Sequence, residues 1–192
     1  NAKLRSKAFD PSTPILTRQG SNDAVTKLVK DMKSGLVGGI IMSGVNPLYT
    51  LPNASDFAEG LEKTDLSISF SMKADETALK TEYIAAAPHY LESWGDVELK
   101  KGHFSLMQPT IRPLFDTRQF QEALLKWVGH DVTYREYIKS GWSGGSFNKA
   151  LQDGVYVSDL FSADPTGSST TAAKTTTTLK DKKDRTFVGG II

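Results

Sequence analysis

The sequence predicts an α/β domain built on a mainly parallel sheet with helices on both faces, followed by a helical C-terminal part. Three observations lead there. Leu36 to Met42 is a short apolar run stopped by Ser43-Gly44, the pattern of a strand buried on both faces. Segments with a single apolar helical face lie before and after it. Two further strand-like runs, Leu66 to Met72 and Tyr83 to Pro88, complete a helix–strand alternation through residue 90.

In order, residues 1–20 carry Pro11, Pro14 and Gly20 and read as an extended lead-in. The opening Asn1-Ala2-Lys3 resembles the remainder of an expression tag. Ser21 to Ser34 is a helix, because Val25, Leu28, Val29 and Met32 fall at i, i+3, i+4 and i+7. Ser21 or Asn22 can cap it, and Gly35 can end it. After the Leu36–Met42 strand and its loop, Asn53 or Ser55 opens a second helix whose apolar face is Phe57, Ala58 and Leu61. Leu66 to Met72 alternates apolar residues with serine, and its serine face suits an edge or a wet surface. A short helix is expected from Asp75-Glu76-Thr77, with its acids near the positive end of the dipole. His89 to Lys101 reads as a polar loop, and Phe104 and Leu106 as an extended segment.

Asp116 and Gln119 have capping-box spacing for a helix over 117–128 that would bury Phe120, Leu124, Trp127 and Val128. Thr133 and Glu136 repeat that spacing. Ser146 starts a last short helix with Phe147, Ala150 and Leu151 inward and Gly154 at its end. From Ser162 the composition shifts, and Ser168 to Thr178 is almost entirely Ser, Thr, Ala and Lys. Such a stretch buries too little apolar surface to offset its ordering entropy. The expected divisions are therefore a lead-in over 1–20, an α/β domain over 21–161, and a linker or loop over 162–192. Arg185 to Ile192 could return to the sheet as a strand, and the stop inside an apolar run suggests a piece of a longer protein.

Composition excludes several classes. A net charge of +1 and the absence of a basic stripe with interleaved aromatics argue against a nucleic-acid surface. No cysteine is present, so disulfides, zinc thiolates and iron–sulfur ligation are impossible within this chain. No apolar run is long enough to cross a bilayer, so direct membrane insertion is not expected.

Several constellations could carry chemistry. Gly141-Trp-Ser143-Gly-Gly145 matches Gly-x-Ser-x-Gly, but a nucleophile elbow needs a strand before the serine and a later histidine. All three histidines (His89, His103, His130) come earlier, and a helical segment precedes Ser143, so a glycine-rich interhelix turn is the better reading. His89 and Glu92 with Asp96 could ligate a metal, but a hydrogen-bonded His–Glu pair in a loop explains them as well. No Walker A loop and no Gly-x-Gly-x-x-Gly fingerprint occurs. Gly44-Val45-Asn46-Pro47 and Asp75-Glu76-Thr77-Ala78 both follow strands. Singly, they read as a turn and as a helix start. Together, they place Gly44, Asn46, Pro47, Glu76 and Thr77 on one carboxyl edge of a parallel sheet, where ligand crevices form.

The order of these pieces resembles the α/β domain of molybdopterin oxidoreductases. Gly44-Val-Asn-Pro47, Glu76-Thr-Ala78 and a later Glu92…Gly95 correspond to that family's Gly-x-Asn-Pro, Glu-Thr-Ala and Glu…Gly segments over roughly residues 22–155. Pro88-His-Tyr-Leu-Glu-Ser-Trp-Gly-Asp96 and Gln108-Pro-Thr-Ile-Arg-Pro-Leu-Phe-Asp-Thr-Arg118 look more specifically like the large iron–sulfur subunit of alternative complex III. The resemblance implies a Rossmann-like domain around molybdopterin guanine dinucleotide, with Gly44, Asn46, Pro47, Glu76 and Thr77 as its contacts or their remnants. Two departures favour remnants: Ser71 stands where many relatives carry Asp, and Thr81-Glu82 replaces an Ala-Asp pair. The closer resemblance implies a cofactor-free scaffold in a quinol-oxidising respiratory complex, on the periplasmic side of the inner membrane. Its partners would be other subunits of that complex, and its iron–sulfur clusters would lie outside this chain.

Overall fold

A computed structural model describes residues 13–17, 20–142 and 146–157. The expected Ser/Thr-rich linker, the possible returning strand over Arg185–Ile192 and most of the lead-in lie outside the described residues. The chain divides into two compact units. Residues 20–95 and 107–140 belong to one, and residues 13–17, 96–106, 141–142 and 146–157 to the other.

The first unit starts with helix α1 (Asn22–Lys33). Ser21 caps it by accepting a hydrogen bond from the Ala24 N–H, and Gly35 leaves it at a φ of 68°. Strand β1 (Gly39–Ser43), helix α2 (Pro47–Thr50), helix α3 (Ala54–Leu61), strand β2 (Leu66–Ser71) and strand β3 (Tyr83–Ala86) follow. β1, β2 and β3 form a parallel sheet in that spatial order, with Ile40 opposite Ser67, Met42 opposite Ser69, and Phe70 opposite Ala85. One face meets α1 and α3, where Val29, Met32, Val37, Ile40, Met42, Phe57 and Leu61 form the core. The two helices cross closely because Gly60 has no side chain; a Cβ there would stand 2.7 Å from that of Met32. Lys33 adds ion pairs to Asp56 (2.6 Å) and Glu59 (3.2 Å) across the same crossing. Phe70 points to the opposite face and meets helix α4 (Phe120–Trp127), with ring centroids 5.0 Å from Phe120 and 6.1 Å from Trp127. Helices therefore cover both faces of this sheet, as expected of a parallel one.

The serine face of β2 is a correction. It is neither an edge nor wet: β2 is the middle strand, and Ser67 and Ser69 are buried on the face that their register shares with Ile40 and Met42. Ser67 Oγ accepts a hydrogen bond from the Glu82 N–H at 2.9 Å. Ser69 Oγ has no partner. A buried hydroxyl without a partner costs stability that an apolar group of the same shape does not. Ser69→Ala is therefore expected to raise stability by about 1 kcal/mol, read as a higher urea midpoint at unchanged slope.

The second unit is built differently. Strand β4 (Gly95–Lys100) lies beside strand β5 (His103–Met107), the outer residues Gly95 and Met107 belonging to the first unit, and β5 pairs antiparallel with strand β6 (Tyr156–Val157). Lys101-Gly102 joins the first two, with Gly102 at a φ of 78°. Trp142 is the centre of its packing, with ring centroids 6.3 Å from Phe104, 6.2 Å from Phe147 and 5.1 Å from Tyr156. Helix α6 (Ser146–Asp153) turns Phe147 and Ala150 inward and ends at Gly154, as the sequence predicts, while Leu151 is only half-buried.

The architecture is thus mixed α/β with one parallel and one antiparallel sheet, and the mainly parallel expectation describes the first unit alone. β4 stands where a polar loop was expected, its Val97 and Leu99 alternating with charged residues. The helix expected at 117–128 is shorter. Asp116 does not cap it but pairs with Arg118, and Gln119 Nε2 donates to the Trp94 carbonyl at 2.6 Å. Leu125 is its buried residue, while Leu124, Trp127 and Val128, expected inside, are exposed. The Thr133–Glu136 box does form at the start of helix α5 (Tyr134–Ser140), with each residue's side chain accepting from the other's N–H.

Candidate functional site

All three parallel strands release their chains at one edge. β1 ends at Ser43, and Gly44 turns away with a φ of 66°, its N–H donating to the Phe70 carbonyl. That left-handed conformation costs an L side chain about 1–2 kcal/mol and suits glycine. β2 ends at Ser71, which opens the loop 72–77. β3 ends at Ala86, and Ala87 returns its N–H to the Ser71 carbonyl at 3.1 Å. Asn46 sits immediately ahead of α2, and Pro47 takes the first helical position, where its missing N–H costs nothing.

The structure brings the expected residues together through side chains 30 and 31 positions apart. Asn46 Nδ2 donates to Glu76 Oε2 at 2.7 Å. Thr77 Oγ1 donates to Asn46 Oδ1 at 2.7 Å and accepts from the Leu48 N–H at 3.0 Å. Thr77 and Pro47 are buried, Asn46 is half-buried, and Gly44 and Glu76 are exposed. This network fastens the loop after β1 to the loop after β2. Asp75 steadies the second loop: Oδ1 accepts from the Ala78 N–H at 2.9 Å and Oδ2 from Ser71 Oγ at 3.1 Å. The helix expected from Asp75 is a 3-10 turn over Ala78–Lys80. Ser71, noted in the sequence only as a departure, thus works as the donor that orients Asp75.

The edge is acidic. Hydrogen bonding from the Asn46 amide, and then from its own backbone N–H, holds the Glu76 carboxyl below the usual glutamate range; partial desolvation and the charge of Asp75 oppose this more weakly. Among the described residues no lysine or arginine forms an ion pair with Asp75 or Glu76.

The competing constellations come out as structural features. His89 caps a 3-10 turn over Tyr90–Glu92: its Nδ1 accepts from the Leu91 N–H, and Glu92 accepts from the His89 N–H. No group of three or more His, Asp or Glu side chains suited to a metal occurs among the described residues. Ser143 lies outside the described residues, and helix α5 precedes it in place of the strand that an elbow needs. No described helix is long and apolar enough to cross a membrane.

No family model matches the chain. Over 125 residues, 59% of the chain, it is 34% identical to the menaquinone reductase, molybdopterin-binding-like subunit of Nitratidesulfovibrio vulgaris (strain Hildenborough), covering 18% of that protein. Acetylene hydratase from Pelobacter acetylenicus has a similar fold, with a TM-score of 0.57 at 18% identity over 69% of this chain and 20% of that one. The chain spans about a fifth of the length of each. The sequence match supports homology to the molybdopterin-oxidoreductase-like superfamily, and the structural match shows a shared fold.

Proposed function

We propose that this chain is part of an iron–sulfur subunit resembling that of alternative complex III, in a respiratory complex that oxidises quinol. It serves there as a scaffold and subunit contact and holds no cofactor of its own. The observation that carries the reading is the closed bonding of Asn46, Thr77 and Glu76. Both ends of the Asn46 amide and both roles of the Thr77 hydroxyl are engaged by protein groups. With these polar groups bonded to one another, the residues present do not fit a dinucleotide that would need them as partners, and no step is derived through it. The name of the menaquinone reductase relative, molybdopterin-binding-like, agrees with a fold kept for a quinone-linked complex. Without cysteine, the chain leaves any iron–sulfur cluster to other parts of the complex. Its partners are the other subunits, and its place is peripheral, on the periplasmic side of the inner membrane.

One observation favours a second reading, a guanine-dinucleotide-binding part of an active molybdopterin enzyme: three strand ends open on one edge, with Gly44 exposed and clear of neighbours. Metal and pterin analysis of the intact subunit, purified in its native membrane complex, separates the two. Iron without molybdenum or pterin is expected. Molybdenum and pterin near one per subunit would overturn the scaffold reading and make Gly44, Asn46, Pro47, Glu76 and Thr77 binding residues.

A further inference from the structure

We propose that the outer edge of β1 is a strand-pairing site, and that its occupant is the segment over residues 187–192 of the same chain. The proposal goes beyond the scaffold reading and holds whether or not the carboxyl edge takes a cofactor. Its first ground is an open row of backbone groups. In the order β1-β2-β3, β1 has a neighbour on one side alone among the described residues. The Gly38 carbonyl accepts from the Leu66 N–H, and the Gly44 N–H donates to the Phe70 carbonyl. Backbone groups of alternate residues face alternate sides of a strand, so those of Ile40 and Met42 also face β2. Those of Gly39, Ile41 and Ser43 face outward, and Ile41 is 40% exposed. Natural edges are blunted by charge, proline or a bulge. β1 carries no charged residue and no proline, and its register with β2 is unbroken. The opposite edge is managed: Glu82 stands immediately ahead of β3, and the Ala86 carbonyl accepts from the Arg118 N–H.

The second ground is sequence. Val188-Gly-Gly-Ile-Ile192 repeats Val37-Gly-Gly-Ile-Ile41 residue for residue, and each follows a large apolar residue, Phe187 and Leu36. The first copy leads into β1, supplies its Gly39, Ile40 and Ile41, and buries Val37 and Ile40. The second copy has the same strand chemistry. Its glycine pair weakens a strand standing alone, so it needs a neighbour to pair with. The third ground is reach. Roughly thirty residues separate β6 from Phe187, about 100 Å when extended, several times the radius of a domain this size. A tether of that length holds its end at an effective concentration on the order of 1 mM. A second copy of the chain, offering its own β1 edge at micromolar concentration, competes at a disadvantage of about a thousandfold.

The test is amide hydrogen exchange on the full chain, read residue by residue by NMR. The Met42 amide faces β2 and serves as the internal reference. In the wild type, the outward Ile41 amide is expected to be protected to within about tenfold of Met42. Val188→Pro with Ile191→Pro puts a proline on each side of the segment, so one of them removes an N–H that faces β1. That variant should speed exchange at Ile41 about a hundredfold and leave Met42 unchanged. Thr175→Pro with Thr178→Pro, in the Ser/Thr stretch, should change neither. Nuclear Overhauser contacts from the Gly39 and Ile41 amides to residues 187–192 of the wild type are the second readout, which does not depend on the variants folding. A wild-type Ile41 amide that exchanges as fast as an unpaired one, without those contacts, overturns the proposal. Protection of Ile41 that survives both prolines overturns it too, and protection that rises with protein concentration gives the edge to a second copy instead.

Discussion

Replacing Phe70 by alanine is expected to cost about 3–5 kcal/mol, the range for deleting a fully buried aromatic ring. Phe70 is 2% exposed and lies in the central strand, with its ring edge-on to Phe120 and Trp127. The loss removes apolar burial and leaves a cavity beneath α4 that backbone on both sides prevents from closing. Domains of this size hold about 5–15 kcal/mol in total, so the variant should be marginal at room temperature. Urea unfolding followed by tryptophan fluorescence would report it, with Phe70→Leu as the milder companion. Hydrogen exchange adds a second readout, since the amides of α4 should lose protection before those of α1, which packs on the opposite face. A cost below about 1 kcal/mol would mean that α4 does not depend on this contact.

How much of this was legible in the sequence depended on the range of each interaction. The strands β1 and β2, the helix faces of α1 and α3, the Ser21 cap and the Thr133–Glu136 box rest on neighbours within one or two turns, and local pattern reaches that far. The parallel order of the first sheet followed from alternation of helix and strand. The misses were tertiary. Gln119 prefers the Trp94 carbonyl, 25 residues back, to the local cap that its spacing suggests. The serines of β2 look like a wet face by composition, yet register places them opposite Ile40 and Met42 under two helices. β4 did carry a signal, the alternation of Val97 and Leu99 with charges, but a two-residue apolar face is weak beside so many polar neighbours. At the candidate site, motif order and strand ends placed Gly44, Asn46, Pro47, Glu76 and Thr77 on one edge. That their polar groups would bond chiefly to one another was not readable, because it depends on β1 and β2 being adjacent and in register.

That bonding makes Thr77 the most informative substitution at the edge. Thr77→Val keeps the shape and removes the hydroxyl, leaving the Leu48 N–H and Asn46 Oδ1 without their partner. Each stranded group costs about 1–3 kcal/mol when buried; with Asn46 partly wet, a loss of about 3 kcal/mol is expected. Thr77→Ser should recover most of it, since the hydroxyl returns and only a methyl is missing. Full stability in Thr77→Val would show that the two loops hold their positions without this bond. A pH series reads the other arm of the network. The Glu76 carboxyl is held below its ordinary range in the folded chain, chiefly by Asn46. Its contribution is therefore present above the ordinary glutamate value and is lost as pH falls through the lowered folded value. Glu76→Gln, which cannot ionise, should narrow its stability difference from the wild type over that acid window and hold it constant at neutral pH. A difference that stays constant through the acid window would show that the Asn46 amide does not favour the carboxylate, and the link between the two loops would then rest on Thr77 alone.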